Sequence, residues 1–385
     1  MSLSRKITGF FALFFFQLAA ACEPESEPDA SQPAASTGWE TASPDEIGID
    51  GAMLAALADD IHAGEYLNIH SLLVVRDGQL VMEEYFEGED ERRGLPVGVI
   101  SFDADTLHDA RSVTKSVVSI AFGAAIADGS IKGTDLPVLD YFPEYQDLRT
   151  PEREAIILSH ILSMTSGFEW DESSVIYGEP LNDETAMDRS PDPYRYVMEQ
   201  QVVFEPGTKW EYSGGDTMLM AGVIEKATGT GLEAYTKQAV FEPLGITQYE
   251  WLTYSDGTPI SASGLRLLPR DMAKIGLLYL NGGRWNDVQV VPEDWVEASL
   301  SPQAFIGDRP TGFQRYGYQW WLGTARVGED YVPFATAVGW GGQRILMVPS
   351  MDLVIVVTAG MYGDRRQTGI TFEIMLDRVL PAVKN

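Results

Sequence analysis

Apolar and polar positions fall in blocks along this chain, and the period of the pattern changes from block to block. Residues 52–61 are apolar at helical spacing, through Met53, Leu54, Leu57 and Ile61. Over 71–86 two β-rich runs flank Asp77-Gly78, which predicts a hairpin. The middle of the chain then reads as helix. The spacing predicts one helix over 112–127, with Val113, Val117, Ile120, Ala121 and Ala124 as its buried stripe. Others are predicted over 216–227, 232–240 and 270–280, the last ended by Asn281-Gly282-Gly283. Beyond it, 316–322, 331–337, 344–348 and 353–358 are short, apolar and β-branched or aromatic, and so predict strands. Pro349 to Asp352 reads as the turn between the last two. Trp320 and Trp321 fall in the first of these runs and are expected in the sheet core. A helix over 369–379 closes the pattern.

An early hairpin, a helical middle and late strands imply an α+β fold. The economical solution is one antiparallel sheet built from both ends of the chain and flanked by the terminal helices. A mostly helical lobe, roughly 112–285, is inserted between its halves. A cleft between two such lobes suits a small ligand.

The N-terminus follows a different rule. Arg5 and Lys6 precede an apolar run over 7–18, then Ala19-Ala20-Ala21 and Cys22. A basic, then apolar, then small-residue order is that of an export signal, here over 1–21. The run is short of the ~20 apolar residues that span a bilayer comfortably. Cys22 is the sole cysteine, so the chain forms no intramolecular disulfide. It stands where a bacterial lipoprotein carries its lipid. The expectation is an exported protein, lipid-anchored through Cys22 on the periplasmic face of a bacterial envelope; the alternative is ordinary cleavage near Ala21 and a free periplasmic or secreted protein. Residues 22–43, rich in Pro, Ser, Ala and acid, read as a disordered tether before a single globular domain over 44–385.

Charge and composition exclude several function classes. With 57 Asp and Glu against 27 Lys and Arg, the formal charge is -30, which repels phosphate backbones and argues against nucleic-acid binding. The four histidines, His62, His70, His108 and His160, show no paired metal spacing. His108 is expected at the surface, just before the helix. No Gly-x-Ser-x-Gly elbow and no Gly-rich phosphate loop occur, and no cofactor is implied.

The candidate chemistry lies in Arg111-Ser112-Val113-Thr114-Lys115-Ser116. Residues three apart share a helix face, so the Ser112 hydroxyl and the Lys115 amine can meet. A serine alcohol needs a base before it attacks. An ammonium cannot be that base, so Lys115 is expected to be neutral, helped by burial and by the positive end of the helix dipole. Two further segments fit around this pair. Tyr212 follows a Pro206-Gly207 turn and precedes Ser213-Gly214-Gly215, where its phenol could relay a proton. Val338-Gly339-Trp340-Gly341-Gly342-Gln343 is Gly-rich backbone that a substrate can approach closely and whose amides can donate to an oxyanion.

Together these segments resemble the serine β-lactamase and penicillin-binding-protein superfamily. The resemblance is nearest to its class C β-lactamase-like branch, with type VIII carboxylesterases, D-amino-acid peptidases and 6-aminohexanoate-dimer hydrolases. Ser112-Val113-Thr114-Lys115 matches the family's Ser-x-x-Lys. Tyr212-Ser213-Gly214 stands in the place of Tyr-x-Asn, and Trp340-Gly341-Gly342 in the place of Lys-Thr-Gly, in the form seen in the esterases. The resemblance spans about 45–380 and implies a β-lactamase/transpeptidase-like fold. It implies that Ser112 attacks an acyl carbon, that Lys115 and Tyr212 share the proton transfers, and that the backbone amides of Ser112 and Gln343 hold the oxyanion. Water would then hydrolyse the acyl-enzyme. The substrate contacts expected from it are Trp340, Gly341 and Gly342, with Trp170 and Tyr177 on the loop over 168–177.

The departures bear on the substrate. Gly214 replaces Asn, and Trp340 replaces a lysine that meets the substrate carboxylate in β-lactamases and D-Ala-D-Ala peptidases. An uncharged small-molecule ester or amide is the expected substrate. A β-lactamase or DD-peptidase is the alternative within the class. A catalytically idle, envelope-tethered binding protein is the alternative outside it.

Overall fold

The strand Ile69–Arg76 (β1) is buried along nearly its whole length, which is why it reads as a continuous apolar run instead of an alternation. It forms the predicted hairpin with Gln79–Tyr85 (β2), turning at Asp77 in a left-handed conformation. The computed structural model describes residues 39–307 and 313–384. The signal over 1–21, Cys22 and the tether as far as residue 38 lie outside the described residues. At the end of the tether segment, Glu40 and Ala42 bond to Leu80 of β2, at 2.8 and 3.3 Å.

Three small sheets follow along the chain. Glu87–Arg92 (β3) and Leu95–Ser101 (β4) form a hairpin. His108–Asp109 (β5), Tyr249–Trp251 (β6) and Leu265–Leu267 (β7) form a small sheet in the order β5-β7-β6. Arg284–Trp285 (β8) and Val288–Gln289 (β9) form a second small hairpin. The late strands are Ala304–Phe305 (β10), Phe313–Tyr316 (β11), Trp321–Val327 (β12), Asp330–Gly339 (β13), Gln343–Val348 (β14) and Leu353–Ala359 (β15). With β1 and β2 they make one eight-stranded sheet, β10-β11-β12-β13-β14-β15-β1-β2, antiparallel at every step. The β1–β15 seam joins the two ends of the chain, as the sequence pattern implies.

Helices cover both faces of this sheet. Gly51–His62 (α1), capped by Asp50, which accepts from Ala52 and Met53, packs with the C-terminal helical run Gln367–Val379. The inserted lobe carries Val113–Ala127 (α2) and Gly214–Thr228 (α3), which pack on each other. Pro269–Leu280 (α4) lies across β14, β15 and β1. Its Gly276 sits so close that a Cβ there would meet Val354 Cγ1 at 2.6 Å.

Two expectations change. α2 is buried around its whole circumference from Val113 to Ala125, so its apolar stripe is a band that encircles it. The strand expected over 316–322 breaks at Gly317–Trp320, which is a turn. Gln319 takes φ 66 there and is held by the interior. Its side-chain amide donates to Ile161 O and Leu162 O, and its backbone carbonyl accepts from Ser116. Trp320 is fully buried as expected, but the turn releases Trp321 toward the lobe.

Candidate active site

Ser112 is delivered by a strained turn. β5 ends at Asp109, and Arg111 adopts φ 50, a left-handed conformation rare outside glycine and costing about 1–3 kcal/mol. Arg111 is anchored by an ion pair with Glu91, by Asp109 at 3.6 Å and by the Tyr362 ring at 5.0 Å. The chain then enters α2 directly, with Ser112 at its N-terminal cap and Lys115 one turn on.

The two side chains meet. Lys115 Nζ lies 3.2 Å from Ser112 Oγ and 3.1 Å from Ala262 O. Tyr212, from the approach to α3, stands over Lys115, whose Nζ lies 4.9 Å from its ring centroid, and its phenol interacts with both Ser112 and Lys115. Its place is set by Ser213, which caps α3 by accepting from Asp216 N at 3.0 Å. So the three residues expected from the sequence stand together.

Two residues that the sequence reading missed stand with them. Glu184 Oε2 is 3.7 Å and Glu172 Oε1 3.9 Å from Lys115 Nζ, both carboxylates being buried. Glu184 accepts from the Ser263 hydroxyl at 2.8 Å. Glu172 accepts from Trp170 Nε1 at 2.7 Å, Gly214 N at 2.5 Å and the Tyr177 hydroxyl at 3.3 Å.

These carboxylates overturn the expectation of a neutral resting lysine. Burial alone would drive the Lys115 ammonium toward neutrality, but Tyr212, Glu184 and Glu172 more than offset it, and its pKa rises. Burial pushes Glu172 up to about 7 against the pull of Lys115. Glu184 is buried equally, yet Lys115 and Arg93 hold it below the usual carboxylate range. Burial raises the Tyr212 phenol, with Lys115 opposing. The resting cluster is therefore an ammonium, an ionised Glu184, a neutral phenol and a Glu172 that titrates near neutrality.

Ser112 opens onto two adjoining hollows of about 530 and 400 Å³. The first carries charged groups, with Arg93, Arg111, Glu184 and Asp188 in its wall. The second is aromatic, with Trp210, Tyr212, Trp321 and Trp340. Tyr177 and Trp340 line both and meet edge to face, ring centroids 5.7 Å apart. Trp321, expected in the core, lies 5.6 Å from the Tyr212 ring and forms part of the cleft wall.

Four expected contacts are corrected. Trp170 is buried and turns its indole to Glu172 instead of to substrate. Gly341 and Gly342 occupy left-handed turn positions, φ 89 and 108, packed on Tyr362 and Met361. The Gly341 amide donates to Gln367 Oε1 at 2.6 Å and is not free for substrate. Gln343 is fully buried behind that turn, opposite Gly339 in the ladder, its side chain bonded to both backbone groups of Ala359. The end of β13 instead abuts the nucleophile turn, a Cβ on Gly339 falling 2.4 Å from Ala110 O. Among the described residues, the backbone N–H groups of Ser112 and Trp340 meet no acceptor.

His108 also departs from expectation. It is fully buried and hydrogen-bonded to His70, and burial lowers both rings' pKa, that of His70 to about 2.

Comparison with known proteins gives the family and the fold. The β-lactamase family model matches residues 69–372. A 6-aminohexanoate-dimer hydrolase of Paenarthrobacter ureafaciens is 25% identical over 338 residues, 81% of this chain and 79% of that protein. Among solved structures, a candidate 6-aminohexanoate-dimer hydrolase from Bacillus anthracis has a TM-score of 0.67 at 19% identity, covering 88% of this chain and 86% of the other. A family VIII carboxylesterase has a TM-score of 0.63 at 17% identity, with 89% and 98% covered. These two structural likenesses show the shared fold.

Proposed function

Because the chain belongs to the β-lactamase family, we propose that it cleaves an ester or amide through an acyl-enzyme on Ser112. The observation that carries this is the contact of Ser112 Oγ with Lys115 Nζ at the junction of two substrate-sized hollows.

In this reading the resting ammonium first gives its proton to Glu172, 3.9 Å away, and becomes an amine. The net charge of the cluster does not change in that step, which limits its cost in a buried site. The amine takes the Ser112 proton as Oγ bonds to the acyl carbon. The N–H groups of Ser112 and Trp340 receive the negative oxygen. Tyr212 protonates the departing alcohol or amine and is reprotonated from Lys115. Water, deprotonated by the same groups, then releases the acid and restores Ser112. Trp340, with Trp321 and Trp210 beside it, offers an apolar surface to the acyl group in a hollow whose wall also holds Arg344 and Arg365.

Rapid turnover of short-chain p-nitrophenyl esters, with negligible turnover of a chromogenic cephalosporin, is the expected outcome. Faster cephalosporin turnover would favour the β-lactamase alternative. No turnover of any acyl substrate would favour the idle binding protein. The order of residues in 1–22 supports export and lipid attachment at Cys22. Globomycin is expected to block maturation of the full chain, and processing that it leaves untouched contradicts the anchor.

A further inference from the structure

Away from Lys115, the end of β1, β3 and β5 brings three metal-ligating side chains into the interior: His70, Asp90 and His108. They are far apart in sequence, so no spacing motif announces them. His70 and His108 are fully buried, Asp90 is 8% exposed, and one ligand atom from each lies within 4.8 Å of the others.

The contacts around the two rings leave one nitrogen of each facing the other. Asn68 Nδ2 donates to Glu89 O at 2.8 Å, which leaves Asn68 Oδ1 beside His70 Nε2 at 3.2 Å, a place suited to an N–H. His108 Nδ1 lies 3.1 Å from Asp109 O, a carbonyl that also suits an N–H. His70 Nδ1 and His108 Nε2 face each other at 2.8 Å. One neutral ring can bridge that gap with a hydrogen bond only by giving up its outer contact. A metal ion between them would let both rings keep their outer N–H contacts and would use the nearby carboxylate.

We infer that His70 Nδ1, His108 Nε2 and Asp90 form a binding site for a divalent transition metal of the zinc class. Imidazole and carboxylate donors suit such ions. A tetrahedral zinc with bonds of about 2.1 Å holds its ligand atoms about 3.4 Å apart. The His70–His108 and His108–Asp90 separations of 2.8 and 3.9 Å bracket that value. Each ring's outer nitrogen already faces an oxygen acceptor, the arrangement that orients metal-bound histidines. The ion would tie β5, which leads within four residues to Ser112, to the central sheet. It is a structural tie, with no part in the acyl transfer.

The test uses the purified full chain, stripped with chelator and then incubated with zinc or cobalt(II) and passed through a desalting column. Retention of one zinc per chain is expected, together with visible d–d absorption from four-coordinate cobalt. His70→Gln and Asp90→Asn, checked for native circular dichroism, are expected to lose both. A wild-type protein that retains no zinc overturns the proposal. So does retention undiminished in the variants, because the ion would then sit on surface carboxylates. Should the variants not fold, the wild-type cobalt spectrum decides alone, and its absence overturns the site.

Discussion

Lys115 is a base only if something nearby can take its proton, and Glu172 is the group placed to do so. This gives the reaction a definite pH dependence. Above about 7 Glu172 is ionised and can accept; as pH falls through that value it fills from solvent and the route closes. The ester kcat/KM should therefore decline on the acidic side with a midpoint near 7. Glu172→Gln should cost about 10²-fold in kcat and abolish that limb. An unchanged limb in the variant contradicts the role. In the aromatic hollow, Trp321→Ala should raise KM for apolar acyl groups about 10-fold with a smaller change in kcat, the scale of losing one apolar contact surface. Equal losses in kcat and kcat/KM would place Trp321 in the transition state instead. Ser112, Lys115 and Tyr212 were legible in the sequence because Ser-x-x-Lys, the Tyr212 segment and the Trp340 segment together resemble a known family, whereas the helical spacing of Ser112 and Lys115 is weak evidence by itself. Glu172 and Glu184 were not, because only tertiary folding brings those loops to the lysine. Assigning the oxyanion to Gln343 failed for a related reason: whether an amide faces the cleft or the ladder depends on where β13 ends.

Elements followed their patterns where one face or a long run carried the signal. The β1–β2 hairpin, α2, α4 and the β13–β15 strands were legible to within a few residues. The β3–β4 hairpin was not, because its side chains are mostly exposed on both faces and leave no alternation, with Leu95, Val97 and Val99 among them. The β5-β7-β6 sheet has strands of two or three residues, too short for any period. The turn over 317–320 exists because Leu162, Ser116 and Ser119 supply its partners. α4 offers a direct check on packing. Gly276→Val should destabilise the protein by ~1–3 kcal/mol in urea unfolding, because a side chain there meets Val354 and Ile345 of the sheet. A neutral effect would mean that α4 stands further from the sheet.

At the scale of the whole molecule, the formal charge of -30 acts as self-repulsion that the fold must outweigh. Raising salt from about 10 mM to a few hundred mM shortens the screening length from ~30 Å to under 10 Å. The melting temperature should rise over that range. A fall would mean that ion pairs such as Arg266–Asp109 and Arg270–Glu83 outweigh the repulsion. The two-lobed plan follows from the same chain order that the sequence pattern showed: sheet, helices, sheet. It places Ser112 where the helical lobe leaves the sheet and Trp340 where the sheet turns back.

The account turns on Ser112 carrying the acyl group. Intact-mass spectrometry after brief mixing with an activated ester, followed by peptide mapping, measures this directly. One acyl mass per chain on the peptide containing Ser112, absent in Ser112→Ala together with the hydrolysis, is the result predicted. An acyl group on another residue, or full esterase activity in Ser112→Ala, would contradict it.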